Sequence, residues 1–510
     1  MPRYAAIDIG SNSVRMQAAE VVPGGPTQIL AADREVTRLG ESVFKNGRIS
    51  PEATALVNGV LSRMAVTYRE LGVVAVRAVA TSAVRDASNQ SEFIADASQA
   101  LGTPVEIISG PEEARLIHLG VQTRWPHPKQ SILVIDVGGG SAEFIVGDSG
   151  EMREGISRPL GAVRLTEVFL KSDPPSAAEL HRMENFIDEK FQPTFKRLQQ
   201  FQVNRVIGTS ATAAAIVSAA NRVPRNDRDA ADRMRAAASH VKQLYRELSQ
   251  KSLADRRRTP GIGPRRADII IAGTAVFSRV LERLELPSMY YSVAGVRDGI
   301  IADLAARGVG RELSRLTRQQ LRVVETMCRK FNADIRNAKQ VARLTLELFD
   351  ELRSLHGLPA DAGRLLEAAA YLHDAGHYIS DTGHHKHSAY IVMNSDMPGY
   401  TDQERKVIAL LCRYHRKSMP AGRHEVFRSL PQETKQMITL MAPLLRLGVA
   451  LDSSREQKVQ EVTCHQSSGG ATITVKGTGD LDLEIWAAER AADLFRQASG
   501  ANLAIQKQRR

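Results

Sequence analysis

The sequence predicts an α/β fold of two related domains facing each other across a cleft, followed by an all-α domain and a small α+β domain. Three observations lead there. An internal repeat joins Ala6-Ile7-Asp8-Ile9-Gly10-Ser11-Asn12-Ser13 to Val134-Ile135-Asp136-Val137-Gly138-Gly139-Gly140-Ser141, at a constant offset and with a strand pair after each copy. The first third alternates strand-like with helix-like stretches. After about residue 310 the apolar spacing becomes helical and stays so until alternation resumes near residue 461. The expected domains are residues 1–127, 128–308, 309–460 and 461–510.

Residues 4–8 form an apolar run ending in Asp8, and residues 14–22 read as the returning strand. Ser50-Pro51-Glu52 is a helix start, with a capping hydroxyl before a first-turn proline. Val57, Val60, Leu61, Met64, Tyr68 and Leu71 keep helical spacing, and Gly72 ends it. Residues 73–80 are nearly all apolar, as in a strand buried on both faces. Trp125-Pro126-His127-Pro128 reads as a hinge between the related domains. Val341, Leu344, Leu346, Leu348, Phe349 and Leu352 typify the helical region. Alternation at Ala471-Thr472-Ile473-Thr474-Val475, with turns at Gly469-Gly470 and Gly477, marks the terminal strands. A last helix spans about Glu484 to Ala498, and the tail from Gln506 to Arg510 reads as frayed.

Of the 510 residues, 43% are hydrophobic and 25% charged, ordinary for a soluble globular chain. No apolar run approaches the ~20 residues of a membrane helix. The start, Met1-Pro2-Arg3-Tyr4, enters a strand pattern without a signal peptide, so a cytoplasmic location is expected. Cys328, Cys412 and Cys464 are too far apart for a redox or metal motif, which fits a reducing compartment. A net charge of +11 favours an anionic partner. Aromatic residues, at 5%, are thin for base stacking. Acids interleave with the arginines of residues 222–266. No DNA or RNA partner is therefore expected.

Each Asp-x-Gly loop ends a buried strand in a carboxylate and follows it with a turn whose amides can face phosphate oxygens. Such carboxylates suit Mg²⁺, which takes oxygen ligands. A single loop of this kind is common structural punctuation, but two in register point to phosphate.

These motifs resemble the exopolyphosphatase / guanosine pentaphosphate phosphohydrolase (Ppx/GppA) family. The likeness runs through Asp8–Ser13 with Arg15, Ala80-Thr81-Ser82-Ala83-Val84-Arg85, Ser109-Gly110-Pro111-Glu112-Glu113-Ala114-Arg115 and Asp136–Glu143. It continues in Arg256-Arg257-Arg258-Thr259-Pro260-Gly261 and Arg265-Arg266-Ala267-Asp268, and closes with Gly295-Val296-Arg297-Asp298-Gly299. It covers the first 300 residues or so and extends into the helical region. It implies two actin-like (ribonuclease H-like) domains of the actin/sugar kinase/Hsp70 superfamily. It also implies Glu113 as the residue that orients or deprotonates the attacking water. On the same basis Asp136 and Glu143 are metal-side acids, and Asp8 either joins them or orients its loop. Ser11, Asn12, Ser13, Arg85, Gly138, Gly139, Gly140 and Ser141 are the phosphate contacts. Gly208-Thr209-Ser210-Ala211-Thr212 is a third phosphate loop, with Gly208 and Ser210 as contacts. The family more often has glycine or serine where Ala211 stands, so contacts there come from backbone alone.

Tyr371-Leu372-His373-Asp374-Ala375-Gly376 contains the His-Asp pair of HD-type metal phosphohydrolases. That pattern also needs a downstream aspartate, for which Asp452 stands ready, and an upstream histidine, where Asn337 stands instead. Asparagine replaces imidazole poorly on a transition metal. His373 and Asp374 are therefore read as a degenerate pair in an HD-like domain. His384, His387, Arg413, His415, Arg416 and Lys417 resemble long-form exopolyphosphatase segments lining a substrate channel. A cationic track would hold a polyanion and favour processive hydrolysis.

The expected activity is Mg²⁺-dependent removal of terminal phosphate from inorganic polyphosphate, by a homodimer. Guanosine pentaphosphate 5′-phosphohydrolase and a catalytically silent sensor of such anions are the alternatives.

Overall fold

The computed structural model describes residues 1–22, 27–126, 129–224, 227–307, 315–467 and 470–508. His127 and Pro128 of the expected hinge, the expected boundary at 308/309, Gly469, Arg509 and Arg510 lie outside the described residues. The chain divides into two compact units, Met1–Val309 and Gly310–Arg510.

In the first unit the apolar run becomes β1 (Arg3–Ile9), buried along nearly its whole length. The chain reverses at Gly10 into β2 (Ser13–Val21) and then β3 (Thr27–Val36), an antiparallel meander. β4 (Ala75–Ala80) and β5 (Val105–Ile107) add in parallel on the other side, giving the order β3-β2-β1-β4-β5. The second copy builds β6 (Ser131–Val137), β7 (Ala142–Asp148), β8 (Glu151–Arg158), β9 (Arg205–Thr209), β10 (Arg235–Ala237) and β11 (Ser288–Tyr291). Their order is β8-β7-β6-β9-β11-β10, the same topology with one antiparallel edge strand added. Each sheet has its own hydrophobic core, around Ile7 and Met64 in one and Phe144 and Phe277 in the other. The two are actin-like domains with mixed sheets.

The helix Pro51–Glu70 begins as its sequence dictates: Ser50 Oγ accepts from the Ala53 amide. Val57, Val60, Leu61, Met64 and Tyr68 are buried. Gly72, at φ +63°, takes the left-handed conformation just past its end.

Two further helices, Gly110–Arg124 and Val296–Arg307, pack closely. A Cβ on Gly299 would collide with the Leu116 carbonyl, and one on Gly120 with the Gly295 carbonyl. A buried ionic network secures them. Arg115 pairs with Glu112 at 2.7 Å and Asp303 at 2.9 Å, and Arg77 reaches the same two acids at 3.1 Å each.

In the second unit the helices Arg318–Lys330, Ile335–Glu351, Ala362–Leu372, His384–Asn394, Asp402–Tyr414 and Gln432–Ala450 surround one apolar core. β12 (Val459–Ser467), β13 (Gly470–Gly477) and β14 (Asn502–Lys507) form a small sheet under the helix Asp482–Ser499. That core runs on from Val324 to Phe495, so the expected 460/461 boundary falls inside it. The tail differs from expectation: Gln506 and Lys507 are strand residues, paired in parallel with Thr474 and Val475. Among the described residues, no helix is long and apolar enough to cross a membrane.

Candidate active site

The duplication extends beyond the shared letters. In the first hairpin Asp8 stands across from Arg15; in the second Asp136 stands across from Glu143. Both turns close with the same bond, Gly10 N to Ser13 O at 3.1 Å and Gly138 N to Ser141 O at 3.0 Å. The turns meet tip to tip. A Cβ on Gly139 would lie 2.9 Å from Ser11 Cβ, and one on Gly140 2.5–2.7 Å from Ser82 Oγ, Phe44 Cζ and Ser11 Oγ. Only glycine fits this approach.

Asp8, Ser11, Asn12, Ser13, Glu113, Asp136, Gly138, Gly139, Gly140, Ser141 and Ser210 line one cleft. Glu113 reaches it from the first turn of the helix Gly110–Arg124, which Ser109 caps by accepting from the Glu112 amide. Its neighbour Glu112 is consumed by Arg77 and Arg115. Glu113 Oε2, by contrast, is buried and has no hydrogen-bond partner among the described residues. Arg85 Nη1 comes no closer than 3.7 Å, and donates instead to the Ile108 carbonyl at 2.6 Å. Arg85 therefore stands behind Glu113 rather than among the residues lining the cleft.

Four carboxylates crowd this space, and burial pushes each upward. Glu113 rises well above the usual range, through burial and then the charges of Glu143, Asp8 and Asp136, which outweigh Arg85. Burial, with Asp136 behind it, raises Glu143 to about 7. Burial raises Asp136 to about 6, with Arg15 pulling the other way, and raises Asp8 against Arg15 and Arg297. Glu143 Oε1 accepts from Ser157 Oγ at 2.8 Å. A buried, like-charged cluster with an orphaned oxygen is costly as a set of bare anions, and a divalent cation offsets that cost. Carboxylate oxygens are the donors Mg²⁺ takes; Asp8 and Asp136 line the cleft, whereas Glu143 is buried behind it with its Oε1 held by Ser157.

The third loop differs in detail from the expected phosphate loop. Ser210 opens the helix Ser210–Asn221 with φ +75°, a left-handed value that costs a non-glycine residue free energy. Its hydroxyl donates to the Val137 carbonyl at 3.0 Å. Gly208 is not among the residues lining the cleft. A Cβ there would run into the Met289 side chain and lie 2.9 Å from Ala213 Cβ, so its requirement is packing. Ser11 Oγ accepts from the Ala83 amide at 3.2 Å, tying the first loop to the following helix.

Several participants have no place in the sequence-based assignment. Arg15, Arg266, Arg297, Asp298, Thr81 and Thr209 also line the cleft. Arg164 clamps the loops: it donates to the Gly140 carbonyl at 2.8 Å and to Ser82 Oγ at 3.1 Å, pairs with Asp86, and lies over the Phe44 ring. Most lie within motifs already recognised, so the motif was the available signal; Arg164 had none.

In the second unit Asn337 Nδ2 donates to Asp452 Oδ2 at 2.8 Å, both buried. The residues expected along a cationic track separate. His384 and His415 are buried beside Asp374, His387 and Arg413 are half-buried, and Arg416 and Lys417 are exposed. His373 is buried with its Nε2 3.5 Å from Asp374 Oδ1.

Residues 18–307 match the Ppx/GppA phosphatase family, and residues 319–484 match domain III of Ppx/GppA phosphatases. A Ppx/GppA family member from Aquifex aeolicus is 30% identical, with a TM-score of 0.53 over 60% of this chain and 98% of its own. An exopolyphosphatase-like protein is also 30% identical, with a TM-score of 0.57 over 59% and 97%. An exopolyphosphatase from Cytophaga hutchinsonii is 26% identical, with a TM-score of 0.54 over 59% and 96%. With its duplicated loops, its acid-lined cleft and a family match over more than half its length, this chain belongs to the Ppx/GppA phosphatase family.

Proposed function

We propose that the protein is an exopolyphosphatase, releasing orthophosphate from the ends of inorganic polyphosphate with Glu113 aligning or deprotonating the attacking water. The observation that carries this reading is the buried Glu113 Oε2, without a hydrogen-bond partner among the described residues and with only Arg85 3.7 Å away, in a cleft framed by two glycine loops. Phosphoryl transfer asks chiefly for an aligned nucleophile and neutralised charge. Glu113 supplies the first by accepting a proton of the water whose oxygen attacks the terminal phosphorus. The P–O bond to the bridging oxygen then breaks, and the chain leaves one phosphate shorter. Asn12 Nδ2, buried and without a hydrogen-bond partner among the described residues, is a free donor for phosphate oxygen. The amides of the two loops and Arg15, Arg266 and Arg297 spread the remaining charge. Mg²⁺ held by Asp136, Glu143 and Asp8 would neutralise charge developing on the transferred group. Glu113 must be ionised to accept a proton, and a bound cation and Arg85 both favour that form.

The net charge of +11 favours the polymer over the nucleotide. The exposed Arg416 and Lys417 offer cationic contacts for a long chain. Guanosine pentaphosphate 5′-phosphohydrolase is the same chemistry on another substrate. The homodimer rests on the family resemblance, and the Mg²⁺ requirement on the carboxylates of the Asp-x-Gly loops together with that resemblance.

The test is orthophosphate release by the purified protein with Mg²⁺, comparing long-chain polyphosphate with guanosine pentaphosphate, and Glu113→Ala as control. Release from polyphosphate that vanishes in the variant is the expected result. Preference for the nucleotide would transfer the reading to the alarmone. Activity surviving in Glu113→Ala would overturn the assignment of the site.

A further inference from the structure

In the second unit, His373 and Asp374 follow the helix Ala362–Leu372, His384 opens the helix His384–Asn394, and His415 follows the helix Asp402–Tyr414. Packing fixes these ends. Ser388 Oγ donates to the His373 carbonyl at 2.6 Å and accepts from the Gly376 amide at 2.8 Å. A side chain on Gly376 would strike the His384 carbonyl. The histidines therefore stand on rigid supports.

Their polar atoms converge. His384 Nε2 and His415 Nε2 are 3.2 Å apart, and they lie 3.5 and 4.0 Å from Asp374 Oδ1. His373 Nε2 and His377 Nε2 flank the same oxygen at 3.5 Å. The other ring nitrogens set the tautomers of His373 and His415. His415 Nδ1 faces the Cys412 carbonyl at 2.7 Å, His373 Nδ1 the Ala370 carbonyl at 2.8 Å, and His384 Nδ1 the Asp381 carbonyl at 3.3 Å. A carbonyl only accepts, so in neutral His373 and His415 rings Nδ1 carries the proton and Nε2 presents its lone pair, while His384 Nδ1 faces both the Asp381 carbonyl and Arg416 Nη1 at 3.3 Å. Two imidazole nitrogens and a carboxylate oxygen thus converge on one point, with the Arg416 guanidinium beside His384 Nε2. Arg455 occupies Asp374 Oδ2 and leaves Oδ1 facing inward.

We propose that Asp374, His384 and His415 form a transition-metal site, distinct from the Mg²⁺ donors of the first unit. Zn–N bonds of about 2.0–2.1 Å place tetrahedral donors about 3.3 Å apart, close to the spacing here. Imidazole-rich sets suit first-row transition cations rather than Mg²⁺. Three protein ligands leave a further position for water, with His373 and His377 beside it. The backbone carbonyls on Nδ1 are the outer partners that orient metal-bound histidine. The Asn337–Asp452 pair takes no part, so the site differs in composition from the upstream-histidine pattern that the sequence lacks. Arg416 Nη1, on an exposed residue 3.4 Å from His384 Nε2, is the group a cation displaces.

The full-length protein, stripped with chelator, is titrated with Co²⁺ in excess Mg²⁺, which keeps oxygen-only donors occupied. The expected result is uptake of about one Co²⁺ per chain with the intense visible bands of a low-coordinate nitrogen site. The His384→Ala/His415→Ala double variant loses both, while His181→Ala, an exposed histidine of the first unit, keeps both. Circular dichroism checks that the variants are folded. If the double variant is not folded, X-ray absorption at the Zn edge of the Zn²⁺-loaded wild-type protein decides, with two imidazoles and one carboxylate expected. No uptake by the wild type, unchanged bands in a folded double variant, or fewer than two imidazoles on zinc would each overturn the proposal. Because Glu113 takes no part in this readout, failure here leaves the phosphatase reading intact.

Discussion

The cleft of the first unit and the histidine pocket of the second both bury carboxylates, yet push them in opposite directions. In the cleft, burial raises Glu113, Glu143, Asp136 and Asp8, and the acids reinforce one another. In the pocket, burial also pulls Asp374 upward, but His373, His415, Arg455 and His377 overrule it and hold it well below the usual carboxylate range. His415 is itself pushed well below its ordinary value by burial and by His373. The company an acid keeps, not its depth, decides its charge. Crowded oxygen-only donors gain from a hard cation, whereas a carboxylate oxygen shared with imidazole nitrogens makes a mixed set that suits a softer one.

The sharpest way to break this contrast is to remove one acid and read both sites. Glu113→Gln keeps the volume and removes the base. The expected loss in kcat on polyphosphate is ~10²–10⁴-fold, measured as orthophosphate release, with Co²⁺ uptake unchanged. A loss in both readouts would mean that the two centres are not independent.

The second prediction tests whether the crowded acids cost stability. Glu143 rises from 4.5 to about 7. At about 1.4 kcal/mol per pH unit, its ionised form penalises the metal-free fold by ~3 kcal/mol. The folded state holds this proton more tightly than the unfolded one, so the penalty is absent below pH 4.5, grows toward pH 7 and is full above it. Glu143→Gln, in chelator, is therefore expected to melt higher than wild type at pH 8 and to lose most of that advantage at pH 5, while losing activity with Mg²⁺. Equal melting at both pH values would mean that Glu143 is not strained.

The two regions also differ in how far they could be read from sequence. The cleft was legible because its loops are local. Asp8, Gly10 and Ser13 fix one hairpin within a few residues and the Asp136 copy repeats it, so these two acids follow from the repeat, whereas Glu113 and Glu143 come from the family resemblance. Arg164 was not legible, because its partners Gly140 and Ser82 come from other elements. The same holds for Gly208, whose neighbours Met289 and Ala213 reveal a packing role that a loop motif conceals. In the pocket the histidines were visible but not their convergence, since helix packing alone brings His384 to His415. Strand β14 escaped because a short polar strand at a chain end carries little hydrophobic signal, and its pairing with β13 supplies what local sequence does not.

A smaller effect is expected at the loop tips. Gly140→Ala puts a Cβ within 2.5–2.7 Å of three atoms, an overpacking worth about 1–3 kcal/mol. Denaturant unfolding should show that loss, together with reduced turnover, because the two glycine loops are pushed apart. A neutral result would mean that the tips have room to yield.

The smallest effect is expected at Arg416, where the two readings of the second unit meet. Its guanidinium lies 3.3–3.4 Å from both ring nitrogens of His384, yet the residue is exposed and free to engage an anion. Reversing its charge together with that of Lys417 removes attraction for a polyanion, and a longer chain samples that surface more often. Arg416→Glu/Lys417→Glu should therefore raise KM several-fold for long polyphosphate and less for short chains, with kcat held. The same change removes a cation that competes at His384 and adds an acid beside it, so Co²⁺ should bind more tightly. A KM change equal at all chain lengths would remove the track while leaving the metal site standing. Weaker Co²⁺ binding would mean that Arg416 supports the histidines rather than competing for them.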